Sequence, residues 1–257
     1  MHLLAITDLL ATLALGAALG FMGGLFGIGR GIIAIPVLAL AFSMNQAMAQ
    51  GTSLAMMVPV LIVGWWRYSR RHPVPWRAAL QIGLLASATT YLVAQMATRL
   101  EPNILRAVFG AFLLLLALHM LLRKQAATPA EVTSKLDVRL MPLVGILGGA
   151  SMGLLGIGGG LIATPLFTGI FGQRQMVAQS LSLALVTPSS IITLITYGAA
   201  HSVDWSMGLP MATGGLLTVS AGVALAHHLP ERKMRITFAW MILLTAIWLL
   251  LRPVLMR

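Results

Sequence analysis

The chain has 257 residues, 58% hydrophobic and 9% charged, with a formal net charge of +11 and no cysteine. A water-soluble globule of this size could not cover so much apolar side chain, so the chain belongs in a bilayer. Its positive charge lies mostly in short segments between apolar runs, as in cytoplasmic loops, and not in a nucleic-acid-binding patch. The missing cysteines exclude disulfides, thiolate metal sites and thiol redox chemistry, and neither a cofactor nor a metal is expected.

Apolar runs lie at 9–29, 31–43, 47–66, 78–98, 103–122, 141–157, 160–172, 176–196, 207–226 and 235–251. Most approach the ~20 residues that cross hydrocarbon as a helix, and none alternates in polarity as a barrel strand would. The expected fold is an all-α polytopic membrane protein with about eight full-length transmembrane segments plus short broken half-helices. The first run is read as a span and not as a cleaved signal, because no Lys or Arg precedes it and a copy of it recurs in mid-chain.

That run breaks at Gly27-Ile28-Gly29-Arg30-Gly31, and Pro36 follows five residues later. Clustered glycines each cost a helix about 1 kcal/mol relative to Ala. The backbone N–H groups they free must face protein, water or a ligand. A half-helix starting near Gly31, with the proline in its first turn, would aim its positive dipole end at the break and favour an anion. Arg30 is the only basic residue so deep between apolar stretches; its natural partner is an anion, or it snorkels to the headgroups if the break lies near a surface. Gly20 and Gly24 have the GxxxG spacing of helix packing.

The run at 47–66 carries Gln50, Thr52, Ser53 and Pro59, with Gln50 and Ser53 on one helix face. Such neutral groups can replace the hydration shell of an oxyanion or hydrogen-bond between helices. The 67–77 loop holds Arg67, Arg70, Arg71 and Arg77 and no acid, which makes it cytoplasmic. Residues 125–135 form the one evident linker.

Beyond the linker the chain repeats itself. Gly20–Pro59 aligns without a gap on Gly149–Pro188 at an offset of 129, with eighteen of forty positions identical. The register continues through Tyr68/Tyr197, His72/His201, Trp76/Trp205, Leu100/Leu229, Arg106/Arg235 and Arg123/Arg252. Two tandem homologous repeats are expected, one over 1–124 and one over 140–257, joined by a cytoplasmic connector over 125–139. The second copy supplies Gly156, Gly158, Gly159 and Gly160 at its break, with Pro165 downstream and Gly149/Gly153 as its packing pair. It also supplies Gln179, Ser180 and Ser182, followed by Thr187, Pro188, Ser189 and Ser190.

The equivalent of the arginine-rich 67–77 loop, 196–206, holds only Asp204, whereas 227–235 is basic and its equivalent around 99–106 is mixed. Corresponding loops therefore lie on opposite sides, both termini outside, and the repeats are inverted, provided the short runs 31–43 and 160–172 count as crossings. Four plain spans in parallel repeats is the alternative. All six acids sit at segment ends or in loops, which disfavours a cationic substrate. An intramembrane protease would need a base beside Ser53 or Ser151, and neither has a Gly-x-Ser-Gly setting.

The doubled G-x-G-x-G…P cluster, Gln-Gly-Thr-Ser-Leu-Ala at 50–55, Gln-Ser-Leu-Ser-Leu-Ala at 179–184 and Val-x-Trp at 74–76 and 203–205 resemble the TauE/SafE family of membrane permeases over nearly the whole chain. The resemblance implies export of sulfur-containing anions such as sulfite or sulfoacetate. The chain departs from the family pattern at Arg30, where a glycine is usual, and at Gln50.

The function expected is that of a secondary transporter in a bacterial inner membrane, not an enzyme, with a passive anion channel as the nearest alternative. A small anion, of the sulfur-oxyanion or organosulfonate class, would bind between the two glycine-broken helices at the repeat interface. Its residues are Gly27, Gly29, Arg30, Gly31, Gln50, Thr52, Ser53, Gly156, Gly158, Gly159, Gly160, Gln179 and Ser182. The expected partners are that anion and the lipid bilayer, with no nucleic acid; a homo-oligomer and the coupling ion stay open.

Overall fold

A computed structural model of the chain describes residues 2–26, 31–71, 75–122, 137–226 and 231–255. The elements are α1 (His2–Phe26), α2 (Gly31–Ala41), α3 (Gln46–Arg71), α4 (Trp76–Arg99) and α5 (Pro102–Leu122). After a 3₁₀ turn over Val138–Leu143 come α6 (Val144–Leu155), α7 (Gly160–Gly169), α8 (Gln175–Ala199), α9 (Trp205–Ala226) and α10 (Glu231–Leu255). Most of the connector expected at 125–139 lies outside the described residues.

Among the described residues six helices, α1, α3, α4, α5, α8 and α9, are long and apolar enough to cross a membrane. The two others among the expected eight, α6 and α10, offer shorter apolar stretches within the described residues, Arg139–Leu155 and Ile236–Leu251. Pro142 turns the entry to α6 into a 3₁₀ turn and Gly156, at φ 66°, ends that helix. α10 runs over 25 residues, of which the stretch Ile236–Leu251 is apolar. α2 and α7 begin at the two expected glycines, but their prolines do not stand in the first turn. Pro36 and Pro165 are each the sixth residue of their helix, where the missing N–H leaves a carbonyl one turn back without its helical donor.

α3 and α8 are the most enclosed of the six spans. Of the buried polar side chains among the described residues, all but Thr90 lie on these two helices. Large apolar residues such as Leu84 and Leu92 of α4, Leu115 of α5, Leu217 of α9 and Leu244 of α10 point outward instead. Hydrocarbon outside and hydrogen-bonding groups inside is the distribution a bilayer imposes.

Glycine faces bring the remaining helices together. Along α1, Gly16, Gly20 and Gly24 lie against the backbone of Met211, Gly215 and Val219 of α9 in turn, so the two helices run side by side in the same direction. Thr218 adds a 2.6 Å hydrogen bond from its Oγ1 to the Ala17 carbonyl. In the same way Gly145, Gly149 and Gly153 of α6 follow Ile82, Ala86 and Thr90 of α4, and Thr90 Oγ1 donates to the Gly149 carbonyl at 2.9 Å. The GxxxG pairs therefore serve close packing, as their spacing predicts. α5 packs against α10 and α3 against α8.

Candidate functional site

The start of α2 meets the second glycine break inside the protein. α2 starts at Gly31, where a Cβ would lie 3.1 Å from the Gly156 carbonyl oxygen, from Ile157 Cα and from Met57 Sδ of α3. Met57 is near the middle of α3, so α2 begins well away from either end of that span. α7 begins at Gly160, four residues past Gly156, beside Val186 and Ser182 in the middle of α8. The start of α2 thus lies against the chain that leads into α7, where the Leu161, Ile162 and Ala163 amides donate to the Gly158 and Gly159 carbonyls. Gly156 and Gly158 hold φ of 66° and 91°, a region that side chains disfavour.

Gly159 plays a different part. A Cβ there would collide with the backbone of Gly148, so this glycine is needed for the approach of α7 to α6. Its counterpart Arg30 lies outside the described residues, together with Gly27 and Gly29.

Gln50 is fully buried with its side-chain stem against Gly156. Its Oε1 accepts a 2.7 Å hydrogen bond from the Tyr197 hydroxyl, and its Nε2 has no partner. Ser53, on the same face, donates to the Gln50 carbonyl within α3 at 3.0 Å. Thr52 is engaged elsewhere, for its Oγ1 accepts from the Asp204 N–H at 3.0 Å and so ties α3 to the loop before α9. Asp204 in turn caps α9, its carboxylate accepting from the Ser206 and Met207 N–H groups at 3.0 and 3.2 Å.

In the second copy Ser182 lies beside Gly160 and shares a 2.8 Å hydrogen bond with Thr164 of α7. Gln179, the equivalent of Gln50, is exposed where Gln50 is enclosed. Thr187 and Ser189 of α8 are buried with hydroxyls that lack a partner, as is the Gln46 amide at the start of α3. Beside the breaks, then, the structure gathers Gly31, Gln50, Gly156, Gly158, Gly160 and Ser182, while Thr52 and Gly159 are occupied in packing.

Sequence reasoning missed Tyr197 and Thr164. Tyr197 stands 147 residues from Gln50 and belongs to no local motif; only its register with Tyr68 marked it. The two serines considered as nucleophiles both donate to carbonyls of their own helices, Ser151 to Gly148 at 2.8 Å and Ser53 as above. His119 and His201 are exposed.

A multi-span helical protein with its polar groups on two enclosed helices, beside a pair of broken ones, has the form of a membrane transporter. A family model described as sulfite exporter TauE/SafE matches residues 12–249, and the chain belongs to that family. A probable membrane transporter protein of Xylella fastidiosa is 27% identical, with 97% of each chain covered. Another from Methanocaldococcus jannaschii is 25% identical over 92% of this chain and 93% of its own, and one from Haemophilus influenzae is 26% identical over 96% and 99%. No solved structure matches. The protein is a multi-pass membrane transporter, and not an enzyme, that handles a small substrate within the bilayer.

Proposed function

We propose that the protein carries a small anion, of the sulfur-oxyanion or organosulfonate class, across the cell's inner membrane by alternating access between two inverted repeats. The observation that carries this reading is the packing of the start of α2 against Gly156 and Ile157 at the second glycine break, beside Gln50, whose buried Nε2 has no partner. Two positive dipole ends and a side-chain donor suit negative charge. The substrate class rests on the family description, sulfite exporter.

The helix order supports the inverted arrangement. α2, α3 and α4 open at Gly31, Gln46 and Trp76, and α7, α8 and α9 open 129 residues later at Gly160, Gln175 and Trp205. α1 pairs with α9 as α6 pairs with α4, the exchange expected of a pseudo-twofold axis. α1 and α9 run the same way, and so do α4 and α6, while the start of α3 meets the end of α8 through Gln50 and Tyr197. α3 therefore runs opposite to its counterpart α8, as inverted repeats require.

The charged edge supports the orientation. Arg70 sits over Trp66 at 4.2 Å and Arg77 over Trp76 at 5.6 Å, the aromatic and basic girdle of a cytoplasmic membrane surface.

Purified protein in liposomes should show saturable counterflow of sulfite, sulfoacetate, thiosulfate or sulfate. Unitary currents carried by these anions would move the reading to a passive channel. Failure to move any of the four would overturn the substrate class.

A further inference from the structure

The two ends of the Gln50 amide are held unequally, and the reason lies in Tyr197. The Tyr197 hydroxyl has one hydrogen and two acceptors in reach, Gln50 Oε1 at 2.7 Å and the Gly153 carbonyl oxygen at 3.3 Å. The shorter separation is typical of O–H···O, whereas N–H···O pairs centre at about 2.9–3.0 Å. Tyr197 therefore donates to Oε1, and Nε2 is the end left over, buried and unpartnered on a side chain whose stem lies against Gly156. A buried donor left unmade is costly, about 1–3 kcal/mol, and a ligand that accepts from it recovers that cost. Gln50 comes from the first repeat and Tyr197 from the second, so the amide is oriented only when the two repeats are docked.

We propose that Tyr197 is a positioning residue that commits Gln50 to meet the ligand as a hydrogen-bond donor. The site then favours an anion whose oxygens all lack protons, a sulfate- or sulfonate-type group, over one that turns a hydroxyl to it, as phosphate, which keeps a proton near neutral pH, can. This rests on the anion-site reading above.

The test is equilibrium binding of radiolabelled sulfite, sulfate and inorganic phosphate to detergent-purified, monodisperse protein. Gln50→Leu should weaken sulfite and sulfate binding about tenfold or more, the range for a hydrogen bond to a charged group. Gln50→Glu, which keeps an acceptor for Tyr197, removes the N–H and adds negative charge, should lose at least as much and covers the case of a misfolded leucine variant. Tyr197→Phe removes only the hydroxyl; it should weaken binding less and narrow the preference for sulfate over phosphate, because the freed amide can turn its oxygen to the ligand. The double variant Tyr197→Phe/Gln50→Leu should be no worse than Gln50→Leu alone.

Additive losses with an unchanged sulfate preference would make Tyr197 merely structural and overturn the proposal. So would wild-type binding by Gln50→Leu and Gln50→Glu while Gly158→Leu binds nothing, an outcome that leaves the anion site standing. Binding unaffected by Gly158→Leu, or a wild type that binds no probe, would instead remove the anion site itself.

Discussion

Gly158 separates backbone from space. A Cβ at this position would meet only Val186 Cγ1 at 3.7 Å, so there is room for it, but the φ of 91° costs a side-chain-bearing residue on the order of 1–3 kcal/mol. Gly158→Leu adds bulk beside the start of α7, and Gly29→Leu does the same to the first-copy cluster. Both variants should reach the membrane in normal amount and fail to transport; normal uptake by both in a liposome assay would reduce the clusters to packing motifs. Arg30 makes a separate claim. If its guanidinium meets the anion, Arg30→Gln should weaken binding about tenfold or more, and Arg30→Lys should restore only part of it because the bidentate fork is lost. Affinity within twofold of wild type in Arg30→Gln would make Arg30 an interfacial anchor. Adding Arg at position 159 cannot serve as a rescue, since the Gly148 backbone fills that space. The two clusters share a spacing, yet at this position their residues are not interchangeable, and nothing in the one-dimensional pattern distinguished a glycine needed for close approach from one needed for its φ.

At the scale of the helix, the seams of α1 with α9 and of α4 with α6 depend on backbone touching backbone. Gly20→Leu would push its side chain into Gly215, and Gly149→Leu into Ala86. Each should destabilise the fold by about 1–3 kcal/mol or more, the usual cost of overpacking, and should lower the midpoint of thermal unfolding in detergent. A midpoint unchanged in both would mean the seams can part without cost. These seams show what the sequence reveals about elements. The ten apolar runs correspond to ten helices, and the glycine clusters marked where α2 and α7 begin, because loss of propensity is a local property written into a few adjacent residues. Partnership is not local. GxxxG spacing announces that a helix has a close neighbour without saying which, and the pairing of α1 with a helix of the other repeat emerges only from the folded chain. Thr52 meets the same limit: its spacing to Gln50 is visible in the sequence, whereas its acceptor role toward the Asp204 N–H spans 152 residues.

At the scale of the whole molecule, orientation is the testable quantity. Because the chain has no cysteine, single cysteines placed in 67–77 and 227–235 should react with an impermeant maleimide only from the cytoplasmic side, and one in 196–206 only from outside. Labelling of 196–206 from the cytoplasm would leave the parallel arrangement of four spans per repeat. The crossed seams also govern how the protein is made. α1 is complete by residue 26, but its partner α9 ends at residue 226, about 200 residues later. At ~5–20 residues per second of synthesis, α1 waits in the membrane for roughly 10–40 s with its glycine face unsatisfied. α6 finds α4 already inserted, so the α4/α6 seam can close first and the α1/α9 seam last. A nascent chain arrested before α9 therefore exposes a helix surface already shaped to grip another.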